Sequence, residues 1–305
     1  MKQAAVILVL LATVSSAVAQ QPQQTPSQQK QPSQANPQSA TQPGTAATPA
    51  AKRPPQAKTQ PEFDAYQAAM KNANDPAAIE KSADDFAAKF PDSELRVLLY
   101  RSAMHAYQAS NNAEKMLDLA QKVLKIDPDD PEALIGAAEV IAERTRDTDL
   151  DKDQRLAEAQ KDSERALQTI DTDVAIPAGT PQERIDAYKG FLRSSAYSIL
   201  GTLAFNQKNY TEAETQFRKS IDAYPSQPDP VVVLRLAIAL DNQGKYPDAL
   251  KEANRAVELT QENTSAGTLA RRERDRLMQL TGGSNPAPAS KPPAGAAQNS
   301  NPPSN

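Results

Sequence analysis

The sequence has no cysteine and only one histidine, and these two absences exclude several kinds of chemistry. Without cysteine there is no disulfide, no thiolate-bound metal and no lipid anchor on a cysteine at a cleavage site. A single histidine cannot form a histidine metal cluster. The stability of the folded part must therefore come from packing.

Glycine-rich catalytic motifs are also missing. The chain has neither a phosphate-binding loop nor the glycine-rich turn that presents a nucleophilic serine. Ser102 lies three residues before His105, on one face of a predicted helix, and this pair leaves a hydrolase as a minor alternative. The sequence thus predicts a protein that is not an enzyme and needs no cofactor.

Long apolar runs are absent except at the start of the chain. Lys2 precedes an apolar run from Ala4 to Val14, and a small-residue site ends at Ala19. This pattern predicts a secretory signal peptide at residues 1–19, since the run is shorter than the roughly 20 residues that span a bilayer. A membrane anchor is the less favoured alternative. We expect an exported protein, periplasmic or secreted, that has no membrane span after cleavage.

Two segments lack the composition of a folded domain. Residues 20–60 contain no aromatic and no acidic residue and consist mainly of Gln, Pro, Ser, Thr and Ala, and residues 282–305 are similar. Such segments have too little apolar surface to offset the entropy of ordering. The sequence predicts a disordered linker at 20–60, a helical domain at 61–281 and a disordered tail at 282–305. An exported chain that has no cysteine and carries a Gln/Pro-rich linker is typical of a bacterial periplasmic protein.

The predicted domain is more acidic than the chain as a whole. The net charge of the chain is −4, and the domain alone is near −10, because six cations and no acid lie outside it: Lys2, Lys30, Lys52, Arg53, Lys58 and Lys291. Phosphate neutralisation by basic side chains supplies most of the affinity for nucleic acids. We therefore expect no nucleic-acid partner.

Apolar residues in the domain recur at helical spacing almost throughout. Leu95, Leu98 and Leu99 are followed by Met104 and Tyr107 on the same pattern. The only strand-like run, residues 231–234, continues with helical spacing. We predict an all-α domain of about ten helices in pairs and one terminal helix.

Proline and aspartate mark the breaks between these helices. In the turn at residues 127–131, Pro128 cannot continue a helix, Asp130 can cap the next one and Pro131 suits its first position. Similar breaks follow Phe90 and Tyr224. They divide the domain into helix-turn-helix units.

At these spacings the chain resembles the tetratricopeptide repeat family, whose helix-turn-helix units have about 34 residues. The unit that resembles it most runs from residue 194 to 227, with signature residues Tyr197, Leu200, Gly201, Ala213, Phe217 and Pro225. Small residues at 201 and 213 allow the two helices to cross closely. Further units are placed at about 97–130 and 230–261, with a degenerate first unit at 62–90. A unit at 131–171 requires an insertion of about nine residues, and the helix before the main unit is either unusually long or kinked near Gly190.

The resemblance implies a right-handed α-solenoid whose first helices line a concave groove for a protein or peptide. Carried over residue by residue, the groove residues are Leu98, Arg101, His105, Gln108, Ile135, Glu139, Thr202, Phe205, Asn206, Leu234 and Ile238, with Glu132, Ser198 and Asp241 beside them. Only Arg101 and Asn206 fit the family's clamp for a terminal carboxylate. A mixed groove of this kind suits an amphipathic helix or an extended segment.

Acidic residues between the fifth and sixth helices are spaced partly like a calcium-binding loop: Asp147, Asp149, Asp151, Asp153 and Glu158. Lys152 stands where such a loop needs glycine. The alternatives are a calcium site and a solvated acidic loop that caps the next helix.

The sequence as a whole predicts an exported tetratricopeptide scaffold that binds protein partners through its groove. The Phe90–Ser93 junction resembles those of periplasmic repeat proteins in envelope assemblies, which implies a role in cell-envelope assembly. A fixed structural subunit of an envelope complex is the alternative.

Overall fold

The computed structural model describes residues 52–174, 176–177 and 179–282. The predicted signal peptide, most of the predicted linker and nearly all of the predicted C-terminal tail lie outside these residues. The described part contains eleven α-helices and no β-strand: α1 Gln60–Met70, α2 Pro76–Lys89, α3 Arg96–Ala109, α4 Ala113–Ile126, α5 Pro131–Arg144, α6 Lys152–Asp173, α7 Gln182–Asn206, α8 Tyr210–Ala223, α9 Pro230–Asn242, α10 Tyr246–Leu259 and α11 Ser265–Leu280. The all-α prediction is confirmed.

The chain divides into two compact units, with the boundary inside α7. Unit 1 extends to Ile199 and unit 2 begins at Leu200. In unit 1, successive helices from α1 to α6 pack against each other, and in unit 2 the same holds from α8 to α11. None of the helices in the described part is long and apolar enough to cross a membrane.

Short polar side chains begin most of the helices. Asp75 accepts hydrogen bonds from the first amides of α2, Asp130 from that of Ala133 in α5, and Asp229 from that of Val231 in α9. Proline occupies the first helical position in each of these three helices, where its missing N–H costs nothing. The predicted breaks at residues 127–131 and after Tyr224 therefore end in capped helix starts, whereas α3, after the break at Phe90, begins without a side-chain cap.

Three hairpin turns share one backbone geometry. Asn111, Lys208 and Gly244 have φ of 58°, 61° and 74°, the left-handed conformation that ends many helices. In each turn the next amide donates to the carbonyl five residues before it, as in the 2.9 Å bond from Asn112 N to Tyr107 O. This bond satisfies a carbonyl at the end of the first helix and directs the chain back along it.

The core of unit 1 is formed by large apolar side chains at helical spacing, among them Ile79, Phe86, Leu99, Met104 and Leu119. Unit 2 has a separate core around Phe217, Leu236, Leu240, Leu250 and Leu277. The run at residues 231–234 lies in α9, as its continuing helical pattern predicted.

The structure resolves the alternative at Gly190 in favour of a long helix. α7 has 25 residues without a break, and Gly190 is buried inside it. The predicted insertion after α5 is a loop at residues 145–151, followed by α6 of 22 residues.

We expect Gly201→Ala to lower the stability of the chain by about 1–3 kcal/mol, because overpacking a helix crossing forces its neighbours to shift. A Cβ at residue 201 would lie 2.5 Å from two ring carbons of Phe217. Gly136→Ala is the matched control, since its Cβ would meet the flexible Met116 side chain at 3.1 Å while alanine favours the helix. Thermal unfolding followed by circular dichroism should show a lower Tm for Gly201→Ala only. Equal shifts in the two variants would contradict the close crossing.

Candidate functional site

Charged side chains from three elements meet inside unit 1. Arg101 and His105 lie one turn apart on α3, Asp130 precedes α5, Glu132 lies in its first turn, and Tyr188 lies on α7. We call these five residues the charged cluster. Arg101 Nη2 donates to Asp130 Oδ2, and Arg101 Nη1 lies 3.7 Å from Glu132 Oε1. His105 Nε2 lies 2.9 Å from Glu132 Oε2, and Tyr188 also hydrogen-bonds Glu132.

Most of this cluster is removed from solvent. Arg101, Asp130 and Glu132 are 9%, 0% and 8% exposed, whereas the His105 side chain is 21% exposed. A buried charge is tolerated only when it is paired and hydrogen-bonded. Asp130 is both paired and hydrogen-bonded, because its Oδ2 accepts from Arg101 and its Oδ1 accepts the amide of Ala133 at 2.9 Å.

The ionisation of the cluster follows from these contacts. Burial alone would raise the pKa of Glu132, but the charge of Arg101 and the hydrogen bonds from His105 and Tyr188 lower it to about 2. Burial would lower the pKa of Arg101, yet Glu132 and Asp130 raise it above its ordinary value. Burial, followed by the negative charge of Glu132, raises the pKa of Tyr188 well above its ordinary value. Arg101 thus stays cationic between two carboxylates.

The predicted groove residues of unit 1 fall into two groups. Arg101 and Ile135 are buried, while the other four are partly exposed: Leu98, His105, Gln108 and Glu139. The buried guanidinium is already engaged by Asp130 and Glu132. Of these six residues, the four partly exposed ones offer side-chain surface to a partner, and Arg101 lies behind them beside Glu132.

The predicted groove residues of unit 2 are also mixed. Thr202 is buried and accepts a 2.8 Å hydrogen bond from Arg235 Nη1, a residue that the sequence did not single out. The rings of Phe205 and Tyr210 meet edge to face with centroids 5.4 Å apart. Leu234 is buried, Ile238 is half-buried and Asn206 is exposed.

Two cluster members were not predicted as site residues. The sequence predicts Asp130 only as a helix cap, which it is, and indicates no site role for Tyr188. Their contacts with Arg101 and Glu132 join residues far apart in the chain. The sequence signal that could have indicated a buried pair is the spacing of Arg101, which lies four residues after Val97 and three before Met104, on an apolar face.

The hydrolase alternative gains no support from the geometry. His105 Nε2 pairs with Glu132, and among the hydrogen bonds of the described residues none joins His105 to Ser102. The absence of an enzyme activity stays a prediction.

The acidic loop before α6 is not gathered around one point. Asp147 pairs with Lys152 at 2.6 Å, Asp149 Oδ2 accepts the amide of Arg146, and Asp153 and Glu158 lie within α6. No three acidic or histidine side chains among residues 52–174, 176–177 and 179–282 lie close enough together to hold a metal ion. Calcium binding by this loop stays a hypothesis.

A surface cavity of about 420 Å³ lies beside the start of α5. It is lined by Pro128, Asp129, Leu134, Lys161, Asp162, Glu164, Arg165 and Gln168. Burial and then the negative charge of Glu158, four residues earlier on α6, raise the pKa of Asp162 from 3.8 to about 6. This carboxylate is held at a cost to stability near neutral pH.

The comparisons with known proteins point to one repeat family. Residues 193–224 match the family model described as "Tetratricopeptide repeat". No curated protein matches the chain significantly.

Three solved structures are similar at low identity. YrrB, described as a TPR protein with an unusual peptide-binding site, has 15% identity and a TM-score of 0.43, over 66% of this chain and 86% of its own. The assembly chaperone of RpL4, Acl4, has 11% identity and a TM-score of 0.40, over 72% and 96%. The APC/C hetero-tetramer Cut9-Hcn1 has 13% identity and a TM-score of 0.33, over 71% and 45%. The match to the repeat model covers residues 193–224 alone, and the three structural similarities add no argument to it.

We expect Arg101→Met to lower the stability of the chain by about 3–5 kcal/mol, because it leaves two buried carboxylates without a cation. Urea unfolding at pH 7 would measure the loss. The control combines Arg101→Met with Asp130→Asn and Glu132→Gln, which removes all three charges and keeps a capping side chain at 130. It should recover most of the stability. If the free energy of unfolding of Arg101→Met lies within about 1 kcal/mol of the wild-type value, the buried pairing is contradicted.

We expect Asp162→Asn to raise stability by about 1–2 kcal/mol at pH 7.5 and to have little effect near pH 4. Below an ordinary aspartate pKa both folded and unfolded chains are protonated, so the penalty is absent. It grows between about pH 4 and pH 6, where the unfolded chain ionises and the folded chain does not, and it stays constant above that range. Asp153→Asn in the first turn of α6 is the control and should be neutral or destabilising. A gain that does not depend on pH would contradict this assignment.

Proposed function

We propose that this chain is a tetratricopeptide repeat protein and an interaction scaffold, which binds a protein or peptide partner on the first helices of its hairpins. In unit 1 the binding surface comprises the partly exposed residues Leu98, His105, Gln108 and Glu139 in front of the charged cluster. The observation that carries the proposal is the arrangement of this cluster. A buried arginine fixes Glu132, and His105 extends from Glu132 toward solvent.

Rigid support of this kind reduces the cost of binding. A side chain that is already held by a buried hydrogen bond loses little conformational freedom when a partner engages it. The surface combines an apolar residue, Leu98, with polar groups that can accept or donate hydrogen bonds. Such a mixed surface suits an amphipathic helix or an extended segment of a partner.

The proposed location is the cell envelope. The signal-peptide pattern at residues 1–19 and the cysteine-free composition support export. The acidic charge of the predicted domain supports a protein partner over a nucleic acid. A fixed subunit of an envelope complex remains the alternative, and it predicts stoichiometric co-purification.

Crosslinking in cells followed by mass spectrometry would test the binding surface. We expect His105→Ala with Gln108→Ala to reduce recovery of a specific partner about tenfold, because residues at the centre of an interface carry most of the affinity. Gln121→Ala with Lys125→Ala is the matched control, since both residues are exposed on α4, the second helix of the same hairpin.

A partner that is lost in the first variant and retained in the second would support the proposal. A partner that is retained in both, in variants that melt like the wild type, would move the interface away from this surface. A partner that co-purifies at a fixed ratio would favour the structural-subunit alternative.

A further inference from the structure

Residues 52–58 lie against unit 1 without forming a helix. The backbone N–H of Lys52 donates to the carbonyl of Thr172 at 2.6 Å, and Lys52 Nζ donates to Asp127 Oδ1 at 2.6 Å. Arg53 donates to both oxygens of Glu94, at 2.6 and 2.9 Å. These contacts engage the segment through its backbone and through two adjacent cations.

The remainder of the segment is held as well. The backbone N–H of Gln56 donates to Glu94 Oε2 at 3.2 Å, and Lys58 Nζ donates to the carbonyl of Asp92 at 2.7 Å. The side chain of Ala57 packs against the core of unit 1. Bonds therefore occur along the whole segment and not at one end only.

The surface beneath the segment is formed where three helices end. Asp92 and Glu94 follow α2, Asp127 caps the end of α4, and Thr172 and Asp173 end α6. We call these five residues the edge strip. The C-terminal end of a helix carries partial negative charge from its free carbonyls, which favours a cation beside it. The edge strip thus adds helix-end carbonyls to its carboxylates.

The edge strip recognises its two cations in different ways. Lys52 Nζ lies between two carboxylates, 2.6 Å from Asp127 and 3.5 Å from Asp173, which suits a compact ammonium. Arg53 meets Glu94 through two parallel bonds, which need the planar guanidinium. These bonds, with the amide of Gln56, lower the pKa of Glu94. The edge strip therefore places a pair of carboxylates at the lysine and a single bidentate carboxylate at the arginine that follows it.

Proline keeps the segment extended. Pro54 and Pro55 follow the two cations, and a residue before proline is disfavoured in the helical conformation. An extended segment exposes its backbone amides and carbonyls, as the bond from Lys52 to Thr172 requires. The ligand pattern is thus Lys-Arg-Pro-Pro in extended form.

The ion pairs are accessible to water and are individually weak. The side chains of Lys52 and Arg53 are 43% and 62% exposed. Attachment to α1 raises the local concentration of the segment to the millimolar range, which compensates for weak individual contacts. A segment held in this way exchanges with a competing ligand.

We propose that the edge strip is a binding site for an extended segment with adjacent lysine and arginine side chains, and that residues 52–58 occupy it as an intramolecular ligand. A Lys-Arg-Pro-Pro segment on another protein competes for the same carboxylates. This site is separate from the surface proposed above on α3 and α5. An experiment can therefore contradict one of the two proposals and leave the other standing.

The test uses the full chain and a fluorescein-labelled peptide of residues 51–60 at low salt. Lys52→Ala with Arg53→Ala removes the cations of the intramolecular ligand and should increase the affinity for the peptide at least about fivefold over the wild type. Lys71→Ala with Arg184→Ala makes the same charge change at two exposed residues outside the segment and should bind like the wild type. Fluorescence anisotropy would measure each Kd.

Replacing the carboxylates in the opened variant separates this site from general charge attraction. Adding Glu94→Gln, Asp127→Asn and Asp173→Asn should abolish peptide binding. Unchanged binding there would place the peptide elsewhere and overturn the proposal. Equal affinity of the opened variant and the wild type, or no binding to either, would also overturn it.

A second measurement needs only single substitutions and no added peptide. Trypsin cleavage of the Lys52–Arg53 bond should become severalfold faster in Glu94→Gln and in Asp127→Asn, because cleavage follows the population of the released segment. The Lys208–Asn209 bond, in a turn of unit 2, serves as the internal control and should be cut at the wild-type rate. Unchanged cleavage after Lys52 would contradict the docked segment.

Discussion

Asp130 is the residue on which the arrangement of unit 1 depends. One of its oxygens caps α5 and the other accepts a hydrogen bond from Arg101 on α3, so a single buried carboxylate sets both the start of one helix and its position against another. An N-cap is worth about 0.5–2 kcal/mol, and breaking a buried pair costs about 3–5 kcal/mol. The two duties reinforce each other, because the cap holds the carboxylate where the guanidinium must meet it. Glu132, in the first turn of α5, and His105 then take positions fixed by that pairing.

Unit 2 is held together by different polar contacts. Glu214 on α8 lies 2.7 Å from Lys245 and 3.1 Å from Arg218, and the buried Glu252 lies 3.9 Å from Arg218. Gln243, in the turn after α9, donates to the carbonyl of Tyr210 and to Glu214. The contacts of Gln243 fasten a hairpin turn to the neighbouring helix without burying an ion. Loss of any one of them would cost little, because water can replace it.

The helices could be predicted from the sequence because their signals are local. Asp130 before Pro131 is a cap and a helix start wherever the rest of the chain lies, and the spacing of Leu95, Leu98 and Leu99 requires no partner. The charged cluster could not be predicted, since Arg101 and Asp130 are 29 residues apart and only packing brings them together. The same limit applied to Gly190, where the local signal permitted either a kink or a continuous helix. Composition likewise assigned residues 52–58 to a linker, whereas their ion pairs depend on helix ends that lie far along the chain.

The loop between α5 and α6 has a practical consequence. The three hairpin turns with left-handed residues are closed by a fixed backbone bond and have no room for added length. In the loop at residues 145–151, the backbone bonds between residues 146 and 152 span only three residues, such as that from Lys152 N to Asp149 O, and Leu150 within the loop is fully exposed. Sites of this kind tolerate inserted sequence. An epitope tag or a fluorescent domain placed after Leu150 would report on the protein in cells while leaving the chain ends, the edge strip and the charged cluster unmodified.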